Sequence, residues 1–449
     1  MTNRQTPHQV LKSIWGFDQF RASQDAIVQA LCNQNDALIV MPTGGGKSIC
    51  FQVPGLVLPG LTIVISPLVA LMENQVQAIV SKGVPAALLH SQLNRSERQK
   101  ITYAIETQRL KLLYLSPETL LSQGVMAQLL NPELKISSLI LDEAHCLVQW
   151  GDTFRPIYQQ LGTVRNRLLA VRPNGTKINV AAFTATANPV EQMTIIQVLN
   201  LNNSIQFIEL PYRSNLILKK QRVWTPHDRR QKLLKFIQSQ NQTSGIVYVR
   251  TRNHSEELAQ WLRSQTIQTA SYHAGLVTSK KRDIEKDWME NRLTCVVATS
   301  AFGMGVDKPD VRWVVQYQPP LWLSEYVQEI GRAGRDGVQA TGLTLVSERS
   351  GLLDPLDSTT WKRSIQTMHQ KMKTRWSTTD RRSSAGIAHL ELLKSIPKRS
   401  EVEQYINHRG CRWNYIQNFF GNLNLIKPCG HCDRCEINIS KMRSPHIKQ

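Results

Sequence analysis

The string Met41-Pro42-Thr43-Gly44-Gly45-Gly46-Lys47-Ser48 follows an apolar run, Ala37 to Val40, and precedes a segment able to start a helix. Residues of these types at this spacing can hold the phosphates of a nucleotide. Small glycines let backbone N–H groups close around phosphate, the Lys47 ammonium reaches the outer phosphates, and the Ser48 hydroxyl can coordinate Mg²⁺. Thr43, Gly44, Gly45, Gly46, Lys47 and Ser48 are therefore the candidate phosphate ligands. The strict pattern wants glycine where Met41 stands, and a glycine-rich strand-to-helix turn is the other reading of the loop alone. A second apolar run, Ser138 to Leu141, ends in Asp142-Glu143-Ala144-His145. An acidic pair at a strand tip supplies one carboxylate for a cation and one for a nucleophile. Asp142 can hold Mg²⁺ through its water shell while Glu143 polarises the attacking water. Acids decorating a helix N-terminus are the bland alternative. The loop and the acidic strand end predict each other, and the chemistry they predict is nucleoside triphosphate hydrolysis.

Two further clusters can do chemistry. Gln328-Glu329-Ile330-Gly331-Arg332-Ala333-Gly334-Arg335-Asp336-Gly337 sets two arginines three apart, which on a helix share one face. Such a pair can stabilise the charge that builds on a γ-phosphate during transfer, so Gln328, Arg332 and Arg335 join the catalytic candidates. A solubilising arginine pair is the alternative, against which Gly331 and Gly334 would be costly in a helix kept only for that. Of eight cysteines, Cys32, Cys50, Cys146 and Cys295 are scattered and read as small buried hydrophobes. Cys411, with Cys429-Gly-His-Cys432-Asp-Arg-Cys435, suits a tetrahedral Zn²⁺ site. His431 could substitute as a ligand, although its place inside the knuckle favours a solvent-facing side chain. Disulfides do not suit a reducing compartment.

These residues need strands and helices to position them. Apolar runs at 37–41, 61–66, 111–116, 138–141 and 178–184, separated by helix-length polar-patterned stretches, predict a parallel α/β domain. A second series at 245–249, 294–299, 312–317 and 342–346 predicts its structural twin, with a boundary near Leu210 in the proline-rich, basic stretch 210–230. The expected organisation is a nucleotide-binding lobe at 1–209, a second lobe at 210–348, and a basic, cysteine-bearing segment at 349–449. No apolar run reaches membrane-spanning length, the longest being broken by Pro67, and the N-terminus has no charged-then-apolar signal pattern. A soluble, cytoplasmic protein is expected, nucleoid-associated in a bacterium. With 54 basic and 34 acidic residues the chain carries +20, which points to a polyanionic partner, nucleic acid first. Residues 349–449 hold half of that excess; a merely solubilising surface is the other reading.

Gly16-Phe-Asp-Gln-Phe-Arg-Ala-Ser-Gln24, the MPTGGGKS loop, Ser66-Pro67-Leu68, Asp142-Glu-Ala-His-Cys146, Thr184-Ala-Thr-Ala187, Tyr272-His-Ala-Gly275 and the QEIGRAGRDG string come in the order seen in RecQ DNA helicases. The chain closely resembles that family from about residue 10 to 346, and again at the four cysteines. The loop Gln149-Trp-Gly-Asp-Thr-Phe-Arg-Pro156 after the acidic box is nearly diagnostic, since DEAD-box RNA helicases carry other strings there. The resemblance implies an α/β fold of two RecA-like parallel-sheet lobes in tandem, followed by a small helical zinc-binding subdomain. It implies ATP, Mg²⁺ and Zn²⁺ as cofactors, with Phe17 stacking on adenine and Arg21 and Gln24 reading it. Trp150, Phe154 and Arg155 would belong to the loop that senses single-stranded DNA by stacking, which tolerates any base.

The implied activity is an ATP-dependent 3′-to-5′ DNA helicase serving recombination or repair, acting on single-stranded DNA and on duplexes with single-stranded overhangs. The chain departs from the family pattern at Asp152, where many members have histidine, which puts the strength of DNA-to-ATPase coupling in question. Fourteen residues follow Cys435, too few for a winged helix or a helicase-and-RNase-D C-terminal domain, so strand separation is expected to be weaker than hydrolysis. A DNA-stimulated translocase or annealing protein therefore competes. An adaptor that binds DNA through its zinc segment and uses ATP only as a switch also competes, but the intact Lys47, Asp142, Glu143 and Arg335 argue against it. Organism, protein partners, oligomeric state and the role of residues 349–410 are not written in these motifs.

Overall fold

Runs of apolar residues with no polar interruption make strands that must be covered on both faces, which a parallel sheet flanked by helices achieves. In the computed structural model, described for residues 5–21, 23–42, 44–67, 69–149, 160–302, 308–347, 400–422 and 428–435, such strands build two separate sheets. The first is seven-stranded: β1 (Ala37–Val40), β2 (Leu61–Ile65), β3 (Ala86–Leu89), β4 (Leu112–Leu115), β5 (Ile136–Leu141), β6 (Asn179–Thr184) and β7 (Ile205–Ile208). They lie in the order β3-β4-β2-β5-β6-β1-β7, all parallel. Every residue of β1, β2, β4, β5 and β6 is buried. The period of two sends alternate side chains to opposite faces. Leu38 and Val40 pack with Leu139, Leu141, Val180 and Ala182 on one face. Ala37, Ile39 and Met41 pack with Ile140, Ala181 and Phe183 on the other.

The second sheet is six-stranded, in the order β10-β11-β9-β12-β13-β8, and also parallel throughout. Its strands are β8 (Leu216–Val223), β9 (Gly245–Tyr248), β10 (Thr269–Tyr272), β11 (Cys295–Ala298), β12 (Trp313–Gln316) and β13 (Ala340–Ser347). The chain divides into its two compact units between Leu210 and Pro211. The described C-terminal residues, with helices Glu401–Asn407 and Arg412–Phe419, belong to the second unit.

The apolar runs miss β3, β7, β8 and β10. The stretch 210–230, expected as a boundary, holds β8 and the start of the helix Pro226–Gln238. Leu216-Ile-Leu-Lys-Lys-Gln-Arg-Val223 turns polar after three residues because β8 is an edge strand, largely exposed along its second half. The basic stretch around 362–375 lies outside the described residues. Among the described residues no helix is long and apolar enough to cross a membrane.

Candidate nucleotide and metal sites

β5, β6 and β1 are neighbours in the first sheet, so the segments that leave their C-terminal ends meet. The register sets Leu141 beside Ala182 and Thr184 beside Val40. Just past β1 the Met41 N–H donates to the Thr184 carbonyl at 2.9 Å. The loop then runs through Gly44 and Gly46, both left-handed at φ 84° and 81°, into the helix Lys47–Val57. The left-handed conformation favours glycine at Gly46, and a Cβ there would have to displace the Gln24 amide. Gln24 is buried; its Oε1 accepts from the Arg21 N–H at 3.0 Å and its Nε2 donates to the Gly45 carbonyl at 2.8 Å. Arg21 Nη1 donates to the Gly44 carbonyl at 2.9 Å. Both residues expected to read a base brace the glycine-rich loop here, while Phe17 stands 52% exposed. Ser48 sits in the first turn of the loop helix, and Thr43 lies outside the described residues.

Asp142 and Glu143 follow β5. The Asp142 N–H donates to the Ile65 carbonyl at 2.8 Å, and the Ala144 N–H to the Phe183 carbonyl at 2.8 Å, which fixes the strand end between β2 and β6. Glu143 adopts φ 54°, a left-handed turn that non-glycine residues rarely take and that often accompanies function. Its Oε1 lies 3.3 Å from Lys47 Nζ, and its Oε2 lies 3.3 Å from His145 Nδ1. Burial works to raise the Glu143 pKa, but Lys47 and His145 outweigh it and hold the carboxylate well below its ordinary range. Asp142 shifts the other way, raised by burial and by the Glu143 charge. Its Oδ2 accepts from Gln75 Nε2 at 3.1 Å and its Oδ1 from the Glu143 N–H at 3.0 Å. The His145 ring also lies 3.1 Å from Thr184 Oγ1, and that hydroxyl donates to the Thr186 carbonyl. Burial disfavours the charged His145 ring, yet Cys146 and Glu143 raise its pKa well above the usual value.

A buried carboxylate whose charge is disfavoured gains from a hard cation. Asp142 with the Ser48 hydroxyl offers the all-oxygen donor set that Mg²⁺ takes. The residues present therefore fit a Mg²⁺–nucleotide, whose metal neutralises phosphate charge.

In the second unit Gln328 lies on the helix Leu323–Ile330, but Arg332 and Arg335 do not share a helical face. The helix stops at Ile330, with Gly331 as its cap, and both arginines sit in the turns that follow. The reason is local: Gly334 is left-handed at φ 64°, its N–H donates to the Val311 carbonyl at 2.7 Å, and Asn215 Nδ2 and Arg213 clamp its own carbonyl. Arg332 is nonetheless buried. On the preceding helix Glu325 pairs with Arg250 at 3.1 Å, and the buried Glu329 meets Gln316 Nε2 at 2.6 Å.

Cys411, Cys429, Cys432 and Cys435 bring their four Sγ atoms within 4.8 Å of one another, with 3.8 Å between Cys429 and Cys435 and 3.5 Å between Cys432 and Cys435. A tetrahedron with Zn–S of about 2.3 Å has edges of about 3.8 Å, so the set fits Zn²⁺. Backbone N–H groups of Arg412 and Cys429 point at Cys432 Sγ and Cys411 Sγ, as thiolates require. His431 stands outside this four-thiol cluster. Its Nδ1 lies 2.6 Å from the Cys429 carbonyl, and its ring packs beside Tyr212 and Trp413 rather than simply facing solvent. Trp150, Phe154 and Arg155 lie outside the described residues. Sequence reasoning missed Gln75, whose helix Val69–Val80 carries several amides with nothing to single one out, and the His145–Thr184 link, which joins two strings far apart in the chain.

The sequence matches the DEAD/DEAH box helicase family over residues 21–194 and the helicase conserved C-terminal domain over residues 228–337. It is 42% identical to an ATP-dependent DNA helicase RecQ of Synechocystis, an alignment that covers 97% of this chain and 99% of that one. It is 34% identical to an ATP-dependent DNA helicase RecQ of Haemophilus influenzae over 95% of this chain, and spans 63% of that longer protein. In structure it is similar to S. cerevisiae Dbp5 bound to RNA and ADP BeF3, with a TM-score of 0.60 at 18% identity, covering 76% of this chain and 87% of that one. At that identity the likeness speaks to fold: two RecA-like lobes.

Proposed function

The chain belongs to the RecQ family of ATP-dependent DNA helicases, and from that premise we propose that it couples ATP hydrolysis to 3′-to-5′ movement along single-stranded DNA and to duplex unwinding, in recombination or repair. Its substrates on this reading are single-stranded DNA and duplexes with single-stranded overhangs. Aromatics of the loop after the acidic box, Trp150 and Phe154 with Arg155, carry the stacking contact to DNA.

The observation that carries the reading is the Lys47–Glu143 pair, 3.3 Å apart, with Asp142 next to it at one strand end. Lys47 and His145 keep Glu143 ionised, the form a proton acceptor needs, though as a weak base while Lys47 stays beside it. When Lys47 moves its charge to the outer phosphates, Glu143 loses the partner that most depresses its basicity, and its affinity for a proton rises as ATP settles. Charge compensation and base activation become one movement. Asp142 and Ser48 hold Mg²⁺, and Arg332 and Arg335, with Gln328, stabilise the charge on the transferring phosphoryl group. Cys411, Cys429, Cys432 and Cys435 hold Zn²⁺ as a structural element.

Turnover and nucleotide binding, measured side by side, test this. Lys47→Ala and Glu143→Gln are each expected to lose ATP turnover by at least about a hundredfold, with Glu143→Gln still binding ATP, because the phosphate loop is untouched. A Glu143→Gln protein that hydrolysed ATP at the parent rate in saturating single-stranded DNA would remove the assigned base. Unwinding of a forked duplex beside the same ATPase assay separates a helicase from a translocase.

A further inference from the structure

The helix Leu323–Ile330 is eight residues long and begins at Trp322, which supplies no side-chain cap. An eight-residue helix is marginal by itself, and its first N–H groups need acceptors. The acceptor comes from far along the chain: Leu323 N–H donates to Glu401 Oε2 at 2.8 Å. Glu401 is the first residue of the helix Glu401–Asn407, and its neighbour Val402 donates its N–H to the Leu321 carbonyl at 3.3 Å. One turn on, the Tyr326 and Tyr405 hydroxyls lie 3.3 Å apart, with ring centroids at 5.0 Å. Behind them the buried Arg412 donates to the Tyr405 and Ile406 carbonyls and pairs with Asp433. Arg412 follows Cys411 and Asp433 follows Cys432. A continuous set of contacts thus runs from the cysteine knuckle to the start of the helix that carries Gln328 and feeds directly into Arg332 and Arg335.

We propose that Glu401 is a positioning residue for ATP hydrolysis: its carboxylate caps the helix Leu323–Ile330 from the cysteine-bearing segment and so fixes where Gln328, Arg332 and Arg335 stand. The inference rests on the role given above to those arginines. A carboxylate suits the site because it accepts the orphan N–H and opposes the positive end of the helix. Without it the first turn frays and the arginines lose a fixed origin. Nucleotide contacts made by residues 17–48 do not depend on it.

The test uses the full chain, with ATPase at saturating single-stranded DNA, zinc content, and three variants: Glu401→Ala, Glu401→Gln and Arg335→Ala. Glu401→Ala is expected to lower kcat by about tenfold with KM for ATP unchanged and zinc retained, since misplacing a reacting group by a fraction of an ångström costs rate before binding. Glu401→Gln keeps an acceptor oxygen and is expected to restore most of the rate. A parent-level kcat in Glu401→Ala, or a loss that tracks the loss of zinc, overturns the proposal. The arginine variant separates the two levels. If Arg335→Ala is inactive and Glu401→Ala is not, this inference alone falls; if Arg335→Ala turns over normally, the reading it rests on falls with it.

Discussion

Glu143, half-buried, and Glu329, buried, are both carboxylates beside basic side chains, yet their pKa values shift in opposite directions. Glu143 lies 3.3 Å from Lys47, and that charge with His145 overcomes the cost of burial. Glu329 shares its surroundings with Glu325, which takes the Arg250 guanidinium at 3.1 Å; burial and the Glu325 charge therefore prevail, and its pKa is pushed up to about 8. A carboxyl raised in the folded state binds more protons there than in the unfolded chain, so its contribution to stability falls as pH rises from its ordinary 4.5 towards 8. Glu329→Gln removes that penalty and keeps a hydrogen bond to Gln316. The variant is expected to match the parent near pH 5 and to gain stability over it as pH approaches 8, read as a widening gap in urea midpoints. A constant gap across that range would mean that Glu329 is not held neutral. At this scale the sequence was informative where chemistry is written in contiguous strings, as in residues 41–48 and 142–145. It was silent where a side chain acts by arriving from elsewhere, as Gln75 does on Asp142 at 3.1 Å and Glu401 on Leu323 at 2.8 Å.

Elements were legible in proportion to how completely they are buried. The central strands β1, β2, β4, β5 and β6 announce themselves because both faces are covered. β7 and β8 lie at sheet edges: β7 (Ile205-Gln-Phe-Ile208) is apolar but only four residues long and exposed or half-exposed throughout, and β8 turns polar midway. The arginine segment misled for another reason: spacing of three suits a helix, but the left-handed Gly334, tied to Asn215 and Val311, forbids one. Close approach between elements is equally invisible beforehand. Gly162, in the first turn of the helix Leu161–Leu169, lies so near the end of the helix Pro189–Val198 that a Cβ would overlap the Val198 carbonyl oxygen. Backbone cannot yield as a side-chain tip can. Gly162→Ala is therefore expected to cost about 1–3 kcal/mol, measured as a lower urea midpoint with an unchanged slope. Parent-level stability would show that the two helices can slide apart freely.

For the whole molecule the division at Leu210 leaves the four-cysteine cluster on the second unit and residues 41–48 and 142–143 on the first, so the candidate metal and nucleotide sites belong to different halves of the chain. Cys432→Ser is accordingly expected to take zinc from one per chain to none and to weaken the C-terminal region, while ATP binding survives; metal analysis and nucleotide titration on the same preparation check both. Stoichiometric zinc in that variant would refute the four-thiolate site. The knuckle also has a consequence for what the protein can touch. β8 is the last strand of its sheet, and an edge strand left bare offers its N–H and C=O groups to any other chain. Here Cys432 bridges to Leu218, and the Trp413 indole donates to the Leu216 carbonyl at 3.1 Å, so the cysteine-bearing segment lies along the rim that would otherwise recruit strangers. Stripping the metal would then uncover a template for self-association, and clumping of otherwise folded molecules would be its first visible sign.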